Sequence, residues 1–296
     1  DKRERTTMKS QGHKFRQAIQ DETPLQIPGA VNAYTAMQVE QAGFKAVYLS
    51  GGGVAYASNG YPDLGITDMH DVLEEARKIT GCVDIPLLAD IDVGWGGAFN
   101  IARTIKEMTR AGVAAVHMED QIAQKRCGHR PNKELVSKEE MGDRIKAAVD
   151  GKTDPDFVIM ARSDAYANEG LEPMIERMIH YVDCGADMLF AEAMEDLTHY
   201  QKIKDATGVP LLANITEFGK TDLYTTEQLS KHGVDMALYP LSAFRAQAKA
   251  AETVLGAIRK DGSQTSVLNM MQTRSELYET IDNAAYEDKL DKLFGK

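Results

Sequence analysis

Apolar runs alternate with stretches of helical periodicity along most of the chain, from residue 27 to about residue 260. The apolar runs are short and almost uninterrupted by polar residues, which is typical of strands that are buried on both faces. They predict eight strands, at 27–33, 46–50, 86–92, 114–119, 157–163, 187–192, 210–215 and 234–239. The segments between and after them predict eight helices, at 35–43, 67–80, 98–111, 138–150, 170–185, 195–207, 225–232 and 241–260.

Local signals at the helix ends support these boundaries. The sequence Ser137-Lys138-Glu139-Glu140 predicts a capping box, in which a hydroxyl and a carboxylate satisfy the first free amides of the fourth helix. Eight βα units of about thirty residues favour a closed (β/α)8 barrel of the TIM type over a doubly wound sheet, which more often has about five or six strands. We therefore predict an α/β fold with one barrel domain at 1–260 and a C-terminal helical extension at 261–296.

Polar side chains cluster where the predicted strands end. Four strands close with polar residues at positions i and i+2, a spacing that places both side chains on one face. These pairs are Asp90 and Asp92, His117 and Glu119, Arg162 and Asp164, and Asn214 and Thr216, while Ser50 and Glu192 end two further strands. In a TIM barrel the active site lies at the carboxyl ends of the strands. A single pair of this kind could be explained by a structural hydrogen bond. Four such pairs at the ends of different strands predict an active site at that end of the barrel.

Three rim residues, Asp90, Asp92 and Glu119, offer hard oxygen ligands without a cysteine partner. Such a set suits Mg²⁺, with Mn²⁺ as a substitute, rather than Zn²⁺. Because Mg²⁺ takes one or two carboxylates and keeps open positions, it would also hold the substrate. His117 is open to two interpretations, a neighbour of the metal ligands or a structural histidine. Asp63, in the loop NGYPDLG, either contacts the metal through water or is an ordinary turn residue.

The glycine-rich loop SGGGVA, residues 50–55, follows the second predicted strand. Its glycines would let backbone amides face an anion, for which a carboxylate is the plausible guest. The loop lacks the GxxxxGK[ST] pattern and is not expected to open a helix, so it is no P-loop. A tight turn would produce the same run of glycines.

Charge and composition exclude several classes of partner. Acidic residues outnumber basic ones by 45 to 34, which argues against nucleic acid and anionic membranes because both need a basic face. No apolar run approaches the roughly 18 residues of a spanning helix, and the first residues show no signal-peptide pattern. The three cysteines include no CxxC and predict neither disulfides nor a zinc site. We expect a soluble cytoplasmic protein with a ragged polar N-terminus, although Asp1 leaves an excised leader open.

One cysteine, Cys127, lies within a cluster of positive charge in this acidic chain. The surrounding cations are Lys125, Arg126, His129, Arg130 and Lys133. They follow the fourth strand directly, so the loop is expected to cover the rim, as lids commonly do. Nearby cations favour a thiolate and are expected to lower the pKa of Cys127 toward neutral pH, which suits a general acid or base. Cys82 and Cys184, beside glycines at helix ends, are expected to be inert.

These motifs resemble the isocitrate lyase and phosphoenolpyruvate mutase superfamily over essentially the whole chain. The matching segments are VYLSGGGVA, PDLG, LLADIDVGWG, HMEDQ, KRCGHRPNK, FVIMARSDA, LFAEA, LLANITEFG, ALYPLSAFRA and MQTRSELYE. The loop K-[KR]-C-G-H is specific to the lyase branch, whereas phosphonate-type members lack its cysteine. The loop NITEFG resembles that of the methylisocitrate lyases. Isocitrate lyases, by contrast, are usually longer and carry a bulkier loop of the type NCSPSFNW at this position. The smaller loop leaves space for an extra methyl group.

The resemblance implies Mg²⁺, a homotetramer with exchanged C-terminal helices, and a di- or tricarboxylate substrate. It implies cleavage of 2-methylisocitrate to pyruvate and succinate, with Cys127 returning a proton to the succinate carbanion and the cationic loop countering negative charge. Tyr48 is the candidate base, and Arg162 is expected to lie near enough to lower its pKa. By motif, the catalytic and substrate-binding residues are Tyr48, Ser50, Gly51, Gly52, Cys127, Gly128, His129, Arg162, Glu192, Asn214, Thr216, Arg245 and Arg274.

Two kinds of rival function are compatible with the sequence. The first is another lyase of the superfamily, acting on isocitrate or on a phosphonopyruvate-type substrate. The second is a catalytically silent barrel that binds a dicarboxylate. The presence of both the aspartate pair and the cysteine disfavours the second.

Overall fold

The computed structural model describes residues 9–295 and contains a barrel of eight short, buried strands. The strands are β1 (Leu25–Pro28), β2 (Val47–Leu49), β3 (Leu87–Asp90), β4 (Ala115–Glu119), β5 (Val158–Ser163), β6 (Met188–Ala191), β7 (Leu211–Asn214) and β8 (Met236–Tyr239). Every neighbouring pair is parallel, in the order β1-β8-β7-β6-β5-β4-β3-β2. A parallel bridge from Gly29 to Tyr48 brings the two ends of the sheet together. The predicted (β/α)8 fold is confirmed.

Helices surround the barrel and continue beyond it. They are α1 (Gln11–Asp21), α2 (Ala33–Gln41), α3 (Gly51–Gly53), α4 (Met69–Thr80), α5 (Ala98–Arg110), α6 (Lys138–Asp150), α7 (Tyr166–Glu169), α8 (Leu171–Asp183), α9 (Leu197–Thr207), α10 (Thr226–Ser230), α11 (Ser242–Asp261), α12 (Arg274–Thr280) and α13 (Asn283–Phe294). A π-helix, Val54–Asn59, follows α3, and a 3-10 helix, Thr265–Met270, precedes α12. The eight predicted helices correspond to α2, α4, α5, α6, α8, α9, α10 and α11.

Three local predictions are wrong. The first strand begins and ends earlier than expected, because the chain already turns into α2 at Ala33. The loop SGGGVA does open a helical segment, since the Ser50 hydroxyl caps α3 by accepting the Gly53 N–H at 3.0 Å. At α6, Ser137 accepts the Glu140 N–H, but the Glu140 carboxylate pairs with Arg144 instead of completing a capping box.

Helix α1 closes the amino-terminal end of the barrel. The apolar periodicity of the sequence did not predict this helix. Phe15, Ala18 and Ile19 on this helix are buried against the inward side chains of the strands. A second apolar layer lies between the strands and the outer helices. The barrel interior is therefore solid at its amino-terminal end, and polar side chains occupy its other end.

The C-terminal extension is helical, as predicted. It contacts the barrel domain through Gln41, whose amide donates to the Thr280 carbonyl at 2.8 Å. Large apolar side chains of α13 stay exposed, among them Tyr286, Leu290 and Phe294. The expected polar N-terminal segment, residues 1–8, lies outside the described residues. Within residues 9–295, none of the helices combines the length and the apolar character needed to cross a bilayer.

Candidate active site

A cavity of about 350 Å³ lies at the carboxyl ends of the strands. Most of the site residues that the sequence predicted line it together. They are Tyr48, Ser50, Gly52, Asp63, Asp90, Cys127, Gly128, His129, Arg162, Glu192, Asn214, Thr216 and Arg245. Gly51, Asp92, His117 and Glu119 are buried beside or below these residues. Arg274 begins α12 and is not part of the cavity wall within this chain, so the structure does not bring it to the site.

Arg162, at the end of β5, organises the centre of the site. Its Nε lies 3.0 Å from Asp164 and 3.3 Å from Glu119, and its Nη2 lies 3.2 Å from Glu192. Burial works against ionisation of Glu192, but Arg162 and then His129 outweigh it and hold the pKa of Glu192 well below its usual value. Burial raises the pKa of Glu119 well above its usual value, so the centre combines a fixed guanidinium with two carboxylates that stay charged, Asp164 and Glu192.

Asp90 and Asp92 present oxygens to one small region beside Gly51. A Cβ on Gly51 would lie 2.9 Å from Asp90 Oδ2 and 3.3 Å from Asp92 Oδ1, and the Gly51 N–H donates to Asp90. Lys125 supplies positive charge here, with its Nζ paired to Asp63 and 2.8 Å from Asp92 Oδ1. This Asp92 oxygen is buried, and Lys125 is the cation beside it. Burial raises the pKa of Asp92 to about 6.

The three proposed metal ligands, Asp90, Asp92 and Glu119, do not form one cluster with Asp63 and His117. Within residues 9–295, no group of three or more His, Cys, Asp or Glu side chains is close enough to hold a metal ion. His117 instead bonds to Tyr48, and Glu119 faces Arg162 with both carboxylate oxygens lacking a hydrogen-bond partner. The Asp90 and Asp92 pair alone still fits Mg²⁺, because that ion commonly takes one or two carboxylates and completes its shell with water and substrate oxygens.

Tyr48 and His117 form a buried pair under the cavity. The Tyr48 hydroxyl lies 2.8 Å from His117 Nε2. Burial lowers the pKa of His117 to about 4, so the imidazole is neutral. Arg162 acts to lower the pKa of Tyr48, as predicted, but two other effects outweigh it. Burial first, and then Asp90, raise the pKa of Tyr48 well above its usual value, and the opposing effect of Arg162 is smaller.

Cys127 lies in the cavity wall, as predicted, but the expected electrostatic effect on its thiol is wrong. Burial has the largest effect and raises the pKa of Cys127, a backbone hydrogen bond at His129 comes second and lowers it, and the smaller effects of Asp63 and Glu192 add to the rise. Two of the cations counted in the sequence, Lys125 and Lys133, are already paired with carboxylates. The thiol therefore keeps its proton at neutral pH.

His129 joins two loops across the mouth of the cavity. Its Nδ1 accepts the backbone N–H of Lys220 at 2.9 Å, and its Nε2 lies 3.0 Å from Glu192. Because Nδ1 accepts, the ring proton of the neutral imidazole is on Nε2, the nitrogen that faces Glu192. The loop after β4, which carries Cys127, is thus held to the loop after β7.

Sequence reasoning missed several residues of the site. Lys125 was counted only as a nearby charge, although it is buried between two aspartates. Glu217, Phe218 and Leu241 also line the cavity. Phe218 is 94% exposed and packs its ring near the Arg245 guanidinium. No periodic signal marks such residues, because they belong to loops after the strand ends.

A barrel whose carboxyl-terminal rim gathers paired aspartates, an arginine and a thiol is typical of a TIM-barrel enzyme. The chain belongs to the phosphoenolpyruvate phosphomutase family, whose model matches residues 15–259.

Relatives within the family are similar over almost their entire length. The chain is 60% identical to the 2-methylisocitrate lyase of Shewanella oneidensis, covering 97% of this chain and 98% of the relative. It is 57% identical to the 2-methylisocitrate lyase of Escherichia coli, covering 98% of each.

Solved structures show the same fold at lower identity. An oxaloacetate acetylhydrolase in complex with 3,3-difluorooxalacetate has a TM-score of 0.89 and 32% identity, covering 97% of each chain. A phosphonopyruvate hydrolase in complex with oxalate and Mg²⁺ has a TM-score of 0.85 and 28% identity, covering 97% of this chain and 100% of the other.

Proposed function

We propose that the chain is a 2-methylisocitrate lyase, a carbon–carbon lyase that cleaves 2-methylisocitrate to pyruvate and succinate. The observation that carries this proposal is its identity of 56–60%, over nearly the full length, to four bacterial proteins of that name. The site agrees with it, because Cys127, Arg162 and Glu192 line one cavity beside Asp90. The corresponding role would be in propionate catabolism through the methylcitrate cycle.

Asp90 and Asp92 would hold Mg²⁺ at the edge of the cavity. When bound, this ion supplies a Lewis acid that polarises the substrate hydroxyl and the adjacent carboxylate. The geometry of the pair supports the assignment, since Asp90 Oδ2 and Asp92 Oδ1 face the same space beside Gly51 and carboxylate oxygens are ligands that Mg²⁺ prefers. The Gly51 N–H helps to orient Asp90 by donating a hydrogen bond to its Oδ2.

The remaining residues would bind the substrate and move its protons. Tyr48 is proposed to take the hydroxyl proton as the bond between carbon 2 and carbon 3 breaks, while it passes its own phenol proton to Nε2 of the neutral His117. The bonding electron pair passes to carbon 3, where it forms the succinate carbanion. Cys127 then donates its proton to that carbon, a role that suits a thiol whose pKa is raised by burial. Arg162 would orient the carboxylates of the substrate.

A comparison of two substrates tests the activity. Pyruvate release from 2-methylisocitrate would be followed with lactate dehydrogenase, and glyoxylate release from isocitrate as its phenylhydrazone. We expect kcat/KM to be higher for 2-methylisocitrate. Faster glyoxylate release would favour isocitrate lyase. Calorimetric binding of 2-methylisocitrate without turnover would favour a silent dicarboxylate-binding barrel.

A separate experiment tests the metal site without relying on turnover. Mn²⁺ binding, followed by electron paramagnetic resonance, should be lost in Asp90→Ala and in Asp92→Ala, whereas circular dichroism should stay unchanged. Turnover should be abolished in both variants. Asp68→Ala serves as a control because this exposed aspartate only caps α4. Full Mn²⁺ binding by the Asp92 variant would refute the assignment.

We further propose that residues 1–260 form one catalytic domain and 261–296 an extension that docks on a neighbouring subunit of a homotetramer. The match of the family model, which ends at residue 259, supports the division. Exposed apolar side chains on α13 support the docking. A cytoplasmic location is supported by three free cysteines.

A further inference from the structure

The loop that carries Cys127, residues 121–135 and here called the cysteine loop, contains a buried lysine that contacts its own tip. Lys133 is 5% exposed. Its Nζ donates to the Gly128 carbonyl at 2.8 Å and to Asp164 Oδ1 at 3.0 Å. Its own carbonyl accepts the Asn168 amide at 2.7 Å, which anchors the residue from the other side. A buried ammonium group is costly unless it is fully partnered, so this arrangement is specific rather than incidental.

Asp164 connects this lysine to the catalytic arginine. It accepts hydrogen bonds from Arg162 Nε at 3.0 Å and Nη2 at 3.1 Å while pairing with Lys133. The Ser163 hydroxyl and the Asp164 N–H in turn donate to Asp120, which fixes the backbone at this point. One immobile carboxylate therefore sets the positions of both the guanidinium and the loop.

The loop backbone fits closely against the same arginine. A Cβ on Gly128 would lie 2.6 Å from Arg162 Nη2 and 2.6 Å from Glu192 Cγ. The base of the loop is tied separately, because the Gln121 side chain bonds to the backbone N–H and carbonyl of Arg126. The tip is held by His129 and by the Lys133 contact with Gly128.

We propose that Lys133 is a positioning residue, which acts through the Gly128 carbonyl to hold the Cys127 thiol in register with Arg162. This inference deepens the proposed lyase function, since it names what sets the position of the proton donor. Lys133 itself does not line the cavity, so its effect on the reaction would be indirect.

The test is the accessibility of Cys127 in the otherwise intact protein. In Lys133→Met, which removes the donor but keeps the length of the side chain, iodoacetamide should label Cys127 about ten- to a hundredfold faster than in the wild type. That range corresponds to the loss of hydrogen bonds from a charged group. Labelling of Cys82 and Cys184, followed by mass spectrometry of the same samples, should stay unchanged. Lys146→Met is the matched control, because this lysine is exposed on α6.

A positioning role also predicts a particular kinetic result. In Lys133→Met, kcat should fall by about ten- to a hundredfold with little change in KM, because the groups that bind the carboxylates remain in place. Unchanged Cys127 labelling, or an equal rise for all three cysteines, would overturn the proposal. If Lys133→Met does not fold, Lys133→Gln is judged by the same criteria. The labelling result does not depend on the substrate, so it stands even if the wild-type protein releases no pyruvate.

Discussion

The state of Cys127 shows how burial can outweigh a cluster of nearby cations. Counting charges along the sequence suggested a thiolate, but Lys125 and Lys133 are engaged by carboxylates and burial raises the pKa of the thiol. A protonated thiol is a poor nucleophile and a competent proton donor. The structure thus favours the acid role of Cys127 for a reason opposite to the one inferred from the sequence.

Cys127→Ser tests this role directly. A hydroxyl is a far weaker acid, so turnover should fall by about a hundred- to ten-thousandfold, while substrate binding measured by calorimetry should be retained. Cys82→Ser and Cys184→Ser are matched controls and should leave turnover nearly unchanged. An active Cys127→Ser enzyme would require another proton donor, such as Glu192, His129 or water.

Gly128→Ala probes the close fit of the cysteine loop. The added Cβ would meet Arg162 and Glu192, and overpacking of this kind typically costs about 1–3 kcal/mol. Because the loop can move away, we expect reduced turnover with little loss of the free energy of unfolding. Gly256→Ala on α11 is the control, since nothing lies within 4 Å of its added Cβ, and it should stabilise the helix slightly. Unchanged turnover of Gly128→Ala would show that the fit is unimportant.

Individual residues were predictable where a strand fixed their direction. Asp90, Arg162 and Asn214 meet at the cavity because alternation along a strand dictates which side chains share a face. Lys133 carried no such signal, because its partners, Gly128 and Asp164, are set by the path of a loop. Arg274 was assigned by resemblance alone, and no contact in this chain brings it to the site.

At the scale of elements, α1 provides the clearest case of a helix that periodicity alone did not reveal. Its apolar stripe consists of only Phe15, Ala18 and Ile19 within a polar segment. Such a narrow apolar stripe is typical of a helix on the protein surface. Its burial depends on the tertiary structure, because the stripe packs against the amino-terminal end of the barrel. The glycine run that opens α3 was missed for a different reason, since glycine is a poor helix former and only the Ser50 cap signals the start.

Phe15→Ala should therefore reduce stability without altering the chemistry. The side chain is fully buried, and removing it should lower the free energy of unfolding by about 3–5 kcal/mol, measured by urea denaturation. Phe99→Ala is the control, because Phe99 is 92% exposed and should contribute little. The turnover of the folded Phe15 variant should match the wild type. A large loss of turnover at full folding would show that α1 influences the rim.

At the scale of the whole molecule, the C-terminal helices predict association. Leu290, Leu293 and Phe294 are exposed on α13, and an apolar surface of this kind commonly marks an interface. Sedimentation velocity at micromolar concentration should show an oligomer, and Leu293→Asp should shift it toward smaller species. Lys292→Asp, at a neighbouring exposed position, should have less effect. A stable wild-type monomer would contradict the proposed tetramer.

Because α1 fills the amino-terminal end of the barrel, it limits the routes by which small molecules can reach the cavity. With Phe15 filling the amino-terminal end of the barrel, we expect the substrate to arrive and the products to depart at the opposite rim, where Cys127 and Gly128 line the cavity. The cysteine loop therefore lies along the route of exchange with solvent as well as beside the reacting bond.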